Sequence, residues 1–160
     1  KFLPEDLNKY PSIIIEDIYF ESESPNSRMR LRRKGEKYEI TKKSQVDAND
    51  ASKQIEQTIE LSRQEFELFA TIANGNISKQ RFLYPYQSLT AEIDVFKKDL
   101  EGLVLVEFEF KNEEDYRNFV KPDFCLVDVT QEKFIAGSEL AGKKYIDLEE
   151  KLREFNYKKI

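Results

Sequence analysis

Arg28-Met29-Arg30-Leu31-Arg32-Arg33-Lys34-Gly35-Glu36-Lys37-Tyr38-Glu39-Ile40-Thr41-Lys42-Lys43 is the stretch from which the rest of the chain is read. Successive side chains of a β-strand point to opposite faces, so Arg30 and Arg32 share one face while Met29 and Leu31 share the other. Gly35-Glu36 is a turn signal. Beyond it Lys37, Glu39, Thr41 and Lys43 line one face, with Tyr38 and Ile40 opposite. The stretch reads as a β-hairpin with a charged face backed by an apolar one.

Working outward, the same period of two recurs. Ile13 to Phe20 is a β-branched run that ends in Tyr19-Phe20. Gln54, Glu56, Thr58 and Glu60 alternate with Ile55 and Ile59. Lys79 and Arg81, Glu92 and Asp94, and Glu107 and Glu109 are each spaced by two, within expected strands Lys79 to Tyr84, Leu89 to Phe96 and Leu103 to Phe110. Pro85 and Gly102 punctuate the joins, and Val127 to Thr130 is expected as a short further strand. The polar stretch Ser44 to Lys53 reads as a loop between two strands. Three helices interrupt the strands. Ser62-Arg63-Gln64-Glu65 has capping-box spacing ahead of Phe66, Phe69, Ala70 and Ala73, with Asn74-Gly75 as its stop. Asn112 caps a short helix with Tyr116, Phe119 and Val120 on one face, and Tyr145, Leu148, Leu152 and Phe155 form a third apolar stripe. The expectation is a β-rich α+β fold, one domain over residues 1 to 160.

Composition removes several chemistries. The chain has no His and one Cys, Cys125, so Ser-His-Asp, Cys-His and zinc sites are excluded. A metal would have to sit on carboxylates, which points to Mg²⁺ or Mn²⁺. Proton transfer would fall to Lys, Tyr, Asp, Glu or water. The single cysteine rules out an internal disulfide framework and fits a cytoplasmic protein. Net charge of −5 argues against a broad DNA-binding face, and no apolar run is long enough for a membrane span. Cys125 reads as a small hydrophobe, since no base can be named for it.

Charged strand faces are ordinarily solvated. Two features argue otherwise here. Leu103-Val104-Leu105-Val106 is apolar on both faces, and Glu107 and Glu109 then follow on the face that carried Leu105. The charges also sort by strand, Arg/Lys pairs on some and carboxylate pairs on others. A sheet curled into a barrel would aim them inward, where an unpaired charge is costly. Such a lumen calls for an anion to meet its cations and a metal to meet its carboxylates, and a triphosphate carrying a divalent metal is both.

Several of these segments resemble the motifs of the CYTH family. Arg30-Leu31-Arg32 running into Thr41-Lys42-Lys43 is similar to its Arg-x-Arg hairpin. Lys79-Gln80-Arg81, Glu92-Ile93-Asp94 and Gly102 to Glu109 are similar to its Lys-x-Arg, Glu-x-Asp and Gly-Leu-x-x-x-Glu-x-Glu strands. Asp128-Val129-Thr130 and Gly137 to Ala141 resemble its closing segment. The resemblance implies an eight-stranded antiparallel β-barrel, a triphosphate tunnel, with flanking helices. Carried over residue by residue, it assigns Arg30, Arg32, Lys43, Lys79, Arg81 and Lys133 to phosphate, and Glu107 and Glu109, with Glu56 and Asp94, to a divalent metal. The family opens Glu-x-Glu-x-Lys-Phe-Leu. Lys1-Phe2-Leu3 matches the end of that motif, which makes Lys1 the candidate base or electrostatic stabiliser. The two glutamates fall before Lys1, and a member lacking them would be impaired in metal binding. Asp17 stands where many bacterial members carry Gln.

The activity implied is metal-dependent hydrolysis of a triphosphate, inorganic or organic. Conversion of ATP to cyclic AMP and pyrophosphate, as in class IV adenylyl cyclases, and non-catalytic binding of polyphosphate or nucleotides are the alternatives. The expected partner is a small triphosphate-containing molecule, and a homodimer is left open.

Overall fold

In the computed structural model residues 3–21, 27–47 and 50–160 are described, the side chains of 27, 45, 47 and 50–53 excepted. Their strands are β1 (Ser12–Tyr19), β2 (Ser27–Lys34), β3 (Lys37–Asp47), β4 (Asp50–Leu61), β5 (Asn74–Tyr86), β6 (Leu89–Phe96) and β7 (Val104–Phe108). They form one antiparallel sheet in the order β4-β3-β2-β1-β5-β6-β7, curled into a half-barrel. The hairpin expected from Arg28 to Lys43 is the β2–β3 pair, with Arg32 opposite Glu39 and Arg30 opposite Thr41. Gly35 takes φ +59° at its tip, a conformation that costs glycine little and other residues more.

Four expectations are corrected. The described residues make seven strands rather than eight, and β4 and β7 do not pair with each other. Val127 to Thr130 is not a strand, because the Asp128 carboxylate accepts hydrogen bonds from the Thr130 N–H at 2.9 Å and its hydroxyl at 2.6 Å. That local turn competes with a sheet ladder. Ser44 to Lys53 is not simply a loop. The β3–β4 ladder continues through it, with Ser44 opposite Ile55 and Asp47 opposite Asp50. Polar composition suggested a loop, but backbone pairing needs no apolar side chain. Helix α1 (Arg63–Ala70) stops before Asn74-Gly75, which open β5.

The caps behave as read. Ser62 Oγ accepts the Glu65 N–H at 3.2 Å, and Glu65 accepts the Ser62 N–H at 2.7 Å. Helix α2 (Glu113–Asn118) starts at Asn112, whose side-chain oxygen accepts the Asp115 N–H at 2.9 Å. Two further helices follow, α3 (Gly137–Leu140) and α4 (Tyr145–Glu154).

The core explains how the sheet is held open around a charged face. Tyr145, Leu148 and Leu152 of α4 pack with Leu140, Phe134, Leu103, Phe96 and Ile77 in one cluster. The stripe read in the sequence is therefore core packing, each such side chain contributing roughly 1.5–3 kcal/mol. A second cluster, Leu7, Phe82, Ala91 and Ile93 with Val104 and Val106, covers the opposite face of β5–β7. Burial from both sides is why Leu103 to Val106 is apolar on both faces.

Candidate functional site

Register places the charges on one face. Asp17 lies opposite Arg32 and Tyr19 opposite Arg30 across β1–β2. Arg30 lies opposite Thr41, and Lys43 opposite Glu56, across β2–β3–β4. On the other arm Arg81 lies opposite Asp94, and Glu92 opposite Glu107. The two arms meet at β1. A cavity of about 1320 Å³ opens here, lined among others by Arg28, Arg30, Lys43, Lys79, Glu107 and Lys133.

The first arm turns on Asp17, which is 2% exposed. The Arg32 guanidinium donates to it in a fork, Nε to Oδ1 at 2.7 Å and Nη2 to Oδ2 at 2.8 Å. Arg30 Nη1 stands 4.0 Å from the same carboxylate. Burial alone would push the Asp17 carboxyl up, but Arg32, Arg30 and Lys79 outweigh it and hold the group below the ordinary carboxylate range. The Tyr19 hydroxyl is pushed up by burial and by Asp17. Arg30 Nε is buried with no hydrogen-bond partner, the one side-chain nitrogen or oxygen of that kind among the described residues. An orphaned donor of this sort costs free energy unless a ligand accepts from it.

The second arm turns on Asp94 and Arg81. Arg81 donates from Nε to Asp94 Oδ1 and from Nη2 to Oδ2, both at 2.6 Å, and from Nη2 to Glu107 at 3.0 Å. Its Nη1 reaches Glu92, and Lys79 also reaches Asp94. Burial pushes the Asp94 carboxyl up, but Arg81 and Lys79 bring it below its usual range. Burial opposes the charge on Arg81, yet Asp94, Glu107 and Glu92 raise its pKa above the ordinary value. At the tunnel edge Lys43 pairs with Glu56, lowering the Glu56 carboxyl against the upward effect of burial.

These ion pairs revise the sequence argument. The buried cations and carboxylates were expected to need a metal-bound anion; instead they neutralise one another, since opposite charges on neighbouring strands lie within contact distance. A polyanion would have to exchange with some of these contacts, and Arg30 Nε is the donor it could take up without displacing a hydrogen bond. Phosphate candidates Arg30, Arg32, Lys43, Lys79 and Arg81 are brought to one face. Lys133 is exposed, on the turn Lys133–Ile135 at the cavity margin. Lys1 lies outside the described residues.

Glu92 and Glu107 are directly opposite in the β6–β7 ladder, where two like charges repel unless a cation lies between them. Here that cation is Arg81. Glu107 is 59% exposed at its side chain, and Glu109 follows it, also exposed. Such carboxylates are the donors a hard divalent cation takes. Among the described residues no three Asp, Glu, His or Cys already converge as a metal cage. Asp94 and Glu56 are committed to lysine and arginine partners.

Three residues without an assigned role join the site. Arg28 extends the Arg30–Arg32 face by one step, donating to Ser138 Oγ at 2.9 Å and lying 3.6 Å from Glu139. Carrying the period of two backward would have found it. Glu92 was visible as the partner of Asp94 in spacing. Asp17 stood out as an ionisable residue inside a β-branched run. On the far wall Gly137 comes so close to Tyr19 that a Cβ there would stand 2.1 Å from the hydroxyl oxygen.

Fold and face together define a class: an antiparallel sheet curled around a channel of interleaved basic and acidic side chains. The chain belongs to the CYTH domain family, whose model matches residues 6–121. It is similar to an inorganic triphosphatase of Nitrosomonas europaea, 31% identical over 126 residues that cover 77% of this chain and 80% of the relative. The crystal structure of an inorganic triphosphatase superposes with a TM-score of 0.62 at 25% identity, over 88% of this chain and 87% of that one. A candidate adenylate cyclase from Bacillus halodurans shares the fold, with a TM-score of 0.52 at 17% identity over 93% of this chain and 78% of that chain. No helix among the described residues is long and apolar enough to cross a membrane.

Proposed function

We propose that the chain hydrolyses the terminal anhydride of a triphosphate, inorganic tripolyphosphate or an organic triphosphate, with Mg²⁺ or Mn²⁺ on the carboxylates of β6 and β7. The observation that carries this reading is Arg30, whose buried Nε lacks an acceptor in a wall of basic side chains. The relative named as an inorganic triphosphatase supports the substrate class.

Arg30, Arg28 and Lys43 would take the phosphate oxygens on the β2–β3 wall, with Lys79 on the facing side; a guanidinium suits two oxygens at once, an ammonium one point of charge. These cations stabilise charge on the transferring oxygens. Glu107, Glu92 and Glu109 would hold the metal, with Asp94 and Glu56 orienting their cationic neighbours. A divalent cation held by these carboxylates would supply positive charge to offset that of the phosphates and lower the pKa of a bound water. Lys1 would accept the proton of the attacking water. The bond from the terminal phosphorus to its bridging oxygen breaks, releasing orthophosphate and the shortened chain.

The test is phosphate release from tripolyphosphate, thiamine triphosphate and ATP with each metal, monitoring cyclic AMP alongside. Arg30→Met and Glu107→Gln should each lower turnover at least about a hundredfold with the fold intact, the scale of losing one electrostatic stabiliser. Undiminished release in either variant, or cyclic AMP as the product of ATP, would reject the assignment.

A further inference from the structure

The sheet ends in two edges, and they differ. β7 is five residues long, and a short strand blunts an edge. β4 is twelve residues long and has neither Pro nor Lys between Gln54 and Leu61. Among the described residues no strand pairs with its outer side. Ile55 and Ile59 are 57% and 64% exposed on the face away from the site, with Val46 and Met29 also exposed on that face. A long strand with unpaired backbone and exposed isoleucines is a template for another strand.

The occupant can be argued from charge. If two copies meet across a two-fold axis perpendicular to the sheet, paired residues must face the same side. Centring the axis on Gln57 sets Ile55 opposite the second copy's Ile59, Glu56 opposite its Thr58, and Gln54 opposite its Glu60. No like charges meet among these, and the four isoleucines meet in two cross-strand pairs. Moving the centre to Glu56 places Glu56 against itself. Moving it to Thr58 places Glu56 against Glu60. Both are repulsive cross-strand pairs. The strand is therefore complementary to itself in one register and opposed to itself in the two beside it.

We propose that β4 pairs antiparallel with β4 of a second copy of this chain, centred on Gln57, joining two sheets edge to edge with both charged faces on one side. This holds whatever the tunnel binds.

The test uses the full chain. Sedimentation over a dilution series should give a dimer. Ile55→Lys combined with Ile59→Lys, at exposed positions, should raise its dissociation constant at least about tenfold, since it replaces both cross-strand isoleucine pairs by directly opposed like charges. Circular dichroism checks that the variant stays folded. Register is read separately by Gln57→Cys. Facing residues of an antiparallel pair lie about 4.5–5.5 Å apart at Cα, within disulfide reach. Oxidised Gln57→Cys should cross-link into dimers, while Ile55→Cys and Ile59→Cys, each facing the other position, should not. Cys125 is kept throughout, so wild type is the control. A monomer at every concentration, a dimer indifferent to the lysines, or a Gln57→Cys variant that fails to cross-link would overturn the proposal.

Discussion

Arg30 and Arg32 sit two residues apart on one face, yet the structure gives them opposite duties, and methionine at each position separates them. Arg32 holds the 2%-exposed Asp17 through two hydrogen bonds of 2.7 and 2.8 Å. Arg32→Met leaves that carboxylate buried with Arg30 4.0 Å away as its nearest cation. Breaking a buried pair by removing one partner costs about 3–5 kcal/mol. For a chain of this size each kcal/mol moves the melting temperature by roughly 2–4 °C, so a fall of about 6–20 °C is expected. Arg30→Met removes a donor with an unsatisfied Nε. Relieving it returns part of a penalty of roughly 1–3 kcal/mol, which offsets the lost attraction to Asp17. Its melting temperature should stay within about 4 °C of wild type. Tripolyphosphate reverses the ranking: it should stabilise wild type and leave Arg30→Met unmoved, because binding to the native state alone raises stability. Thermal melts with and without tripolyphosphate read both effects. Equal destabilisation by the two substitutions, or full stabilisation of Arg30→Met by the anion, would refute the division of labour.

Acid should loosen the site in a defined window. The Asp17 and Asp94 carboxyls are lowered in the folded chain, so their contribution is complete above the ordinary carboxylate pKa of about 4 and is lost as pH falls below it. Asp94→Asn should flatten the pH dependence of urea stability between about pH 4 and 2; a slope equal to wild type would show that Asp94 does not carry it. Alkali acts through Tyr157, whose hydroxyl donates to the Gly102 carbonyl at 2.9 Å, accepts the Val104 N–H at 2.8 Å, and is raised by burial to about 12. A raised folded pKa means stability present below the unfolded value of about 10 and lost as pH climbs towards 12. Tyr157→Phe should cost roughly 1–3 kcal/mol at neutral pH by orphaning those backbone groups, and should remove that alkaline loss; an unchanged alkaline limb would assign it to another tyrosine.

Local patterning alone determined the period of two in Arg28 to Lys43, the capping box at Ser62, the Asn112 cap and the α4 stripe. These depend on residues within a turn or a strand of one another, and chemistry at that range is written in the order of residues. It also sorted the charges onto one face of each strand. Only the tertiary structure decided which charges meet. Asp17 stands 15 residues from Arg32 in sequence, and Arg81 stands 26 from Glu107, yet each pair is in contact. Strand order and curl bring them together, and no spacing rule reaches that far. The same holds for the extension of β3 and β4 through a polar stretch and for the unpaired edge of β4, since backbone pairing is set by neighbouring strands rather than by side chains. Whether a buried arginine is satisfied or left wanting an acceptor depends on angles and distances between strands, and that difference separates Arg30 from Arg32.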